Sequence, residues 1–236
     1  MGEPMDIEEY ARRSPQYYRD TVPVLLGRYL DRSRYDCLLD CGCGDGSLLH
    51  ALHVHGYLDK CRVLAVDLSP SRLGLVQAIR PGIVASVDNA EELATIPDRC
   101  VDVFLSTQVI EHVDDDRMVQ TIRRVTKPNA LVYLSTVFRK WYGWYFYRHN
   151  GRWVLDPTHR REYMRDEELL GKFDAASFDL VENVKRPMRF PVVDLFAQVV
   201  KVANRRALDN PCLRLLRRVA IRVPGYYHWE LVFRRK

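Results

Sequence analysis

From residue 37 onward, short apolar runs alternate with stretches whose apolar residues recur at helical spacing. Cys37-Leu38-Leu39 and Val63-Leu64-Ala65-Val66 are long enough for buried strands and too short for helices. The pattern predicts strands over 37–41, 62–67, 83–87, 101–106 and 130–136, with helices over 47–55, 70–79, 90–94 and 114–125. Val, Leu and Phe fill the strands with little polar alternation, as in parallel strands covered on both faces. Pro70 after Ser69 suits the first turn of its helix. Upstream, Tyr18, Val22, Leu25, Leu26 and Leu30 form one side of a helix over Tyr17–Leu30. Within it, Pro23 either lowers the regularity or marks a new start. Downstream, Arg165–Leu170 reads as another helix start, followed by strands over 178–184 and 226–234. The expectation is an α/β fold with a doubly wound, mostly parallel sheet.

Two stretches break the alternation. Residues 138–165 crowd Phe138, Trp141, Tyr142, Trp144, Tyr145, Phe146 and Tyr147 among Arg139, Lys140 and Arg148. This is either a lid packed on the main body or a substrate wall. Its place after a sheet strand favours the wall, because open α/β sheets bind ligands beyond their strand ends. Residues 190–222 join a broad apolar helical pattern (Phe190, Val193, Phe196, Val200) to Arg205, Arg206, Arg214, Arg217, Arg218 and Arg222. That combination fits a hairpin packed on the core, or an interfacial element meeting lipid or a greasy substrate. The division expected is a helical cover over 1–36, a core over 37–137, the aromatic lid over 138–165 and a C-terminal part over 166–236. The helical insertion 190–222 precedes the last strand.

Charge changes the picture little. The net charge is +5, and residues 201–236 hold ten Lys/Arg against Asp209 and Glu230. A basic end serves nucleic acid, anionic lipid or solvent equally well. No 18-residue apolar run exists for a spanning helix. The six cysteines, at 37, 41, 43, 61, 100 and 212, fall mostly in or beside expected buried strands. With no secretory leader ahead of them, they suit a reducing, cytoplasmic setting, with membrane contact at most peripheral. Cys41 and Cys43 lack a partner pair at finger-like spacing, so no metal is expected.

The chemistry concentrates at strand ends. After Asp40, glycines 42, 44 and 46 let the backbone turn tightly and bring its N–H groups to a ligand. Asp67 ends the next strand 27 residues later, where a carboxylate can accept both hydroxyls of a ribose. Asp45 lies in the glycine loop, which lacks a Lys-Ser/Thr pair. Such a loop repels pyrophosphate and tolerates a cation. The run Asp40-Cys41-Gly42-Cys43-Gly44-Asp45-Gly46 resembles the first motif of class I S-adenosylmethionine-dependent methyltransferases. Ser86-Val87-Asp88-Asn89-Ala90 and Val101 through Glu111-His112-Val113 are similar to later motifs of the small-molecule branch, which includes quinone and sugar enzymes.

That resemblance implies a seven-stranded Rossmann-like sheet binding S-adenosylmethionine through Asp40, Gly42, Cys43, Gly44, Asp67, Leu68, Asp88, Asn89, Ala90, Ser106 and Gln108. Asp88 would meet the adenine amino group; capping the 90–94 turn would use the same oxygen. For proton removal the candidates are His112 and His159, the latter in a His-x-x-x-Tyr segment ending at Tyr163. Each His also has a structural reading, as a loop-ordering residue or a latch. Trp141 and Tyr145 would wall the acceptor, and Arg160 and Arg161 would hold an anionic group. A hydride-transfer enzyme fits less well, because the loop carries an acid. Ser106-Thr107-Gln108 stands where amide-methylating DNA enzymes have Asn/Asp-Pro-Pro-Tyr/Phe, so nucleic acid is not an expected partner. The expected reaction is methylation, with oxygen favoured, of a small hydrophobic or lipid-linked acceptor by a monomer or homodimer. A soluble polar metabolite or sugar is the alternative acceptor, and non-catalytic cofactor binding the alternative function.

Overall fold

The apolar runs become strands of one sheet in the computed structural model, which describes residues 20–145, 147–149, 152–191 and 219–236. In chain order the elements are α1 (Val24–Leu30), β1 (Cys37–Cys41), α2 (Ser47–Val54), β2 (Arg62–Asp67), α3 (Pro70–Gln77), β3 (Ile83–Val87) and β4 (Val101–Thr107). After these come α4 (Asp115–Val125), β5 (Thr126–Arg139), β6 (Tyr147–His149), β7 (Arg152–Val154), α5 (Glu167–Ala175), β8 (Phe178–Pro191) and β9 (Ala220–Arg235). Seven strands lie in the order β3-β2-β1-β4-β5-β9-β8, and β6-β7 form a separate hairpin. The first five are parallel; β9 runs antiparallel to both β5 and β8. The strand order reverses between β1 and β4, so a crevice opens beyond their carboxyl ends.

Period-two alternation sorts the strand residues into two apolar layers. Leu39, Cys41, Leu64, Val66, Phe104, Val132 and Leu134 pack with Met118 and Ile122 of α4 and Leu169 and Phe173 of α5. Leu38, Val63, Ala65, Val103, Leu105, Leu131 and Tyr133 pack with Leu25 and Leu26 of α1, Leu49 and Leu52 of α2, and Leu73 and Val76 of α3. Each fully buried Leu or Phe contributes about 1.5–3 kcal/mol. Both faces are therefore covered, which is why these strands read as continuous apolar runs. β8 is the edge: it is mostly polar or exposed, carries Pro187, and shifts register twice along β9. Such features discourage pairing with another chain.

Several boundaries differ from the sequence reading. α1 begins at Val24 with Pro23 at its N-cap, so the proline starts the helix instead of interrupting it. No helix forms over 90–94: Leu93 takes φ 44°, and Asp88 Oδ2 accepts from both the N–H and the hydroxyl of Thr95, closing a non-helical turn. Phe190 and Pro191 belong to β8, and Ala220 through Arg222 to β9, so both ends of the span 190–222 are strand. The helical insertion itself falls on 192–218, outside the described residues. Among the described residues of 138–165, Phe138 and Arg139 end β5, and the short β6-β7 hairpin is the only other strand or helix.

Candidate functional site

The glycine loop leaves β1 and crosses the tip of β2. The N–H groups of Gly42 and Cys43 both donate to the Val66 carbonyl, at 2.7 and 3.0 Å. Gly44 N–H donates to Asp67 Oδ2 at 2.9 Å, and Ser69 N–H to Asp67 Oδ1 at 2.9 Å. Asp67 thus clamps the loop while each of its oxygens keeps a further lone pair. Gly42 has φ 75°, and a Cβ there would lie 2.3 Å from Val109 Cγ2. Gly44 is different: its φ of 53° favours glycine, yet the nearest neighbour of an added Cβ would be Arg72 at 3.9 Å.

A cavity of about 210 Å³ opens at this loop, lined by Gly42, Val66, Asp67, Leu68, Arg72, Asp88, Asn89, Ala90, Gln108, Val109, His112, Val113 and Thr158. It spans the ends of β1, β2, β3 and β4, where the strand order predicts a ligand. Asp88 lines the wall, but its oxygens are engaged: Oδ1 accepts from Asn89 N–H and Oδ2 from Thr95. Partial burial opposes its ionisation, and those hydrogen bonds still hold its carboxyl below the usual range. The turn-capping role of Asp88 is therefore present. Gln108 holds the left-handed φ of 57°, uncommon outside glycine, and its Nε2 has no partner among the described residues.

Asp40 lies beneath the loop, buried, with neither carboxylate oxygen hydrogen-bonded among the described residues. Burial, reinforced by the charge of Asp67, pushes it up to about 7. An orphaned acid needs a cation or a proton. That fits S-adenosylmethionine, which carries a sulfonium and an ammonium. Ser106 Oγ is likewise buried without a partner. Cys43 is buried, and burial pushes its thiol up, so it serves as packing and not as a nucleophile. Asp45 makes an ion pair with Arg72, Oδ1 to Nε at 3.4 Å. The loop acid is thus offset by an arginine that is itself on the cavity wall.

At the other end stand the histidines. His112 Nδ1 lies 3.0 Å from Thr158 Oγ1 and 3.3 Å from its carbonyl. Burial, then the neighbouring His159, lowers its pKa, so the ring is neutral at pH 7. His159 packs edge-on against His112, with ring centroids 4.8 Å apart, but does not line the cavity. Its Nδ1 meets Glu162 Oε1 at 3.2 Å; Glu162 also accepts from Leu155 N–H and the Tyr226 hydroxyl. Burial opposes ionisation of Glu162, but those partners hold it below the usual range. Glu111 is fully buried and accepts from Thr136 Oγ1 at 2.9 Å, while its carbonyl binds the N–H groups of Arg160 and Arg161.

The remaining predicted residues are dispersed. Tyr163 is buried and donates to Asp115 Oδ2 at 3.0 Å; burial, then the charge of Asp115, raises its pKa strongly. Arg161 pairs with the same Asp115, and the exposed Arg160 lies 3.3 Å from Glu91 Oε1. Trp141 is 81% exposed, and Tyr145 is buried in a small cluster with Val137, Met188 and Tyr226. None of these five lines the cavity. Arg72 and Thr158 do, and the sequence reading missed both. Arg72 had a signal, three residues past the N-cap Ser69 that follows the Asp67 tip. Thr158 had none of its own, because it reaches the site only through the return of 156–163 over β4.

Residues 39–134 match the family model of a methyltransferase domain. A probable S-adenosylmethionine-dependent methyltransferase of Mycobacterium tuberculosis is 30% identical over 178 residues, covering 75% of this chain and 58% of the relative. A ubiquinone biosynthesis O-methyltransferase of Idiomarina loihiensis is 29% identical over 152 residues, covering 60% of this chain and 61% of the relative. The chain thus spans about three-fifths of the length of the curated relatives it matches. Among solved structures, a putative sarcosine dimethylglycine methyltransferase from Galdieria sulphuraria superimposes with a TM-score of 0.64 at 14% identity. That match covers 90% of this chain and 83% of the other, and it speaks for the fold alone. Sheet order, glycine loop, orphaned acid and sequence relatives agree: residues 39–134 form a methyltransferase domain of the S-adenosylmethionine-dependent kind.

Proposed function

We propose that this protein transfers the methyl group of S-adenosylmethionine to an oxygen of a small hydrophobic or lipid-linked acceptor. The observation that carries the reading is a single cavity bounded by Gly42, Asp67 and Asp88 at one end and by His112 and Thr158 at the other. The cofactor supplies an electrophilic methyl on a positively charged sulfur that leaves as a neutral thioether. The protein's task is then to hold, align and deprotonate. Asp67 offers its remaining lone pairs to the ribose hydroxyls. Val66, Leu68, Ala90 and Val109 exclude water from the adenine. Ionised Asp40 balances the ligand's positive charge. His112 is neutral and tied through Nδ1 to Thr158, which leaves Nε2 to accept the acceptor's hydroxyl proton as its oxygen bonds to the methyl carbon. His159, held by Glu162 behind His112, positions that ring.

Two observations support an apolar acceptor. The ubiquinone relative is named for O-methylation. Trp141, Tyr142, Trp144, Tyr147 and Trp153 are exposed, beginning where β5 ends, on the same carboxyl edge of the sheet as the cavity. Aromatic side chains of this kind suit the boundary between water and an apolar phase. Contact of 190–222 with a lipid surface belongs to the same proposal. Among the described residues, no helix is long and apolar enough to cross a membrane.

A labelled-methyl assay over phenols and alcohols of graded chain length tests the reading. Transfer to oxygen that strengthens with apolar length supports it. Transfer confined to short polar metabolites, or to nitrogen, overturns the acceptor assignment; cofactor binding without any transfer overturns the catalytic one.

A further inference from the structure

Glu111, His112 and His159 each present one donor atom, and the three donors lie within 4.8 Å of one another. Ligands at tetrahedral angles on bonds of about 2.1 Å stand about 3.4 Å apart, so the donors close by up to about 1.4 Å, within reach of side-chain rotation. The other polar contact of each residue is already in place. His112 uses Nδ1 against Thr158, and His159 uses Nδ1 against Glu162, which leaves Nε2 of both rings available. Glu111 Oε2 accepts from Thr136, while Oε1 is buried with no partner among the described residues. A histidine that ligates a metal through one nitrogen typically donates from the other to a carboxylate or carbonyl, and in the Nδ1–H tautomer both rings have such a partner here.

We propose that Glu111, His112 and His159 form a binding site for a divalent transition-metal ion beside the cofactor cavity. Two imidazoles and one carboxylate favour Zn²⁺, Fe²⁺, Co²⁺ or Mn²⁺ over Mg²⁺ and Ca²⁺, which prefer all-oxygen shells. Three protein ligands leave at least one coordination position for an oxygen donor. His112 belongs to both the ligand set and the cavity wall, so that position adjoins the methyl-transfer site. The inference deepens the reading of the same site as an oxygen methyltransferase and rests on it for the role of the ion. With the ion bound, His112 no longer serves as the base. A bound ion would instead acidify the acceptor hydroxyl, its proton passing to solvent, so that the oxygen bonds to the methyl carbon as the carbon–sulfur bond breaks.

The test uses untagged protein stripped with a chelator and then titrated with Co²⁺ and Zn²⁺. One Co²⁺ per chain, with visible d–d absorption and no thiolate charge-transfer band, is the expected result. Zn²⁺ should displace it, and a large excess of Mg²⁺ should not. Glu111→Gln and His159→Gln should each weaken Co²⁺ binding at least tenfold while S-adenosylhomocysteine affinity is retained. That second readout reports folding and keeps failure of the cofactor site distinct from failure of the metal site. If Glu111→Gln does not fold, His159→Gln and the wild-type spectrum still decide. No stoichiometric binding, a thiolate band, or equal affinity in the variants would overturn the proposal.

Discussion

The two ends of the cavity are built differently. The glycine-loop end comes from one continuous stretch, β1 to β2, and its contacts are largely backbone: Gly42 and Cys43 to Val66, Gly44 and Ser69 to Asp67. The histidine end is assembled from side chains far apart in sequence: Glu111 and His112 after β4, Thr136 in β5, and Thr158, His159 and Glu162 on the return segment. A backbone site tolerates few substitutions because its geometry is fixed by φ and by close approach. A side-chain site can exchange one chemistry for another without disturbing the fold. In the proposed function the first end therefore takes the cofactor, and the second is free to specialise.

Substitutions at the two ends should separate accordingly. Gly42→Val is expected to abolish measurable cofactor binding, because its Cβ would meet Val109 and its φ is left-handed. Calorimetry on the folded variant checks this, and near-normal affinity would show that the loop is not the binding loop. His112→Gln should lower single-turnover methyl transfer by ~10²-fold or more with cofactor affinity unchanged. A loss confined to affinity would merge the two ends into one.

Asp40 gives the loop end a pH signature in ligand binding. With its carboxyl pushed up to about 7, the unliganded folded protein keeps a proton that the unfolded chain releases near pH ~4. Stability without ligand therefore falls as pH rises through that window, and Asp40→Asn should reduce the fall, leaving the part due to Glu111, which burial also pushes up to about 7. A cationic ligand favours the ionised acid, so cofactor affinity should rise up to about tenfold between pH ~5.5 and ~7 in the wild type. A flat profile in calorimetric titrations would separate Asp40 from the ligand. The smallest effect belongs to the rim: Trp141→Ser should change folding stability by less than about 0.5 kcal/mol while weakening apolar acceptors, seen as a higher KM.

The same contrast explains what the chain revealed of itself. The five parallel strands were legible because both of their faces are buried, which writes an unbroken apolar run. Gly42, Asp67 and Asp88 were legible as residues at strand ends, and the structure sets them on one cavity wall, with Asp40 buried behind it. The 90–94 segment was not, because its turn depends on Thr95 returning to Asp88 and on the left-handed Leu93. Nor did spacing show that Arg161 and Tyr163 are both held by Asp115, or that Tyr145 packs away from the cavity. Arg72 went unseen because its role depends on α3 bringing it back against Asp45. Long-range side-chain meetings leave no periodic trace.

The most direct measurement is a calorimetric titration of S-adenosylmethionine into wild type and Asp67→Ala, with folding of both confirmed by their unfolding transitions. Losing a charged acceptor for two hydroxyls costs roughly 1.5–3 kcal/mol, so the variant should bind about tenfold to a hundredfold more weakly and remain folded. Equal dissociation constants would contradict the account, because the cavity at the β2 tip would then not be where the cofactor binds.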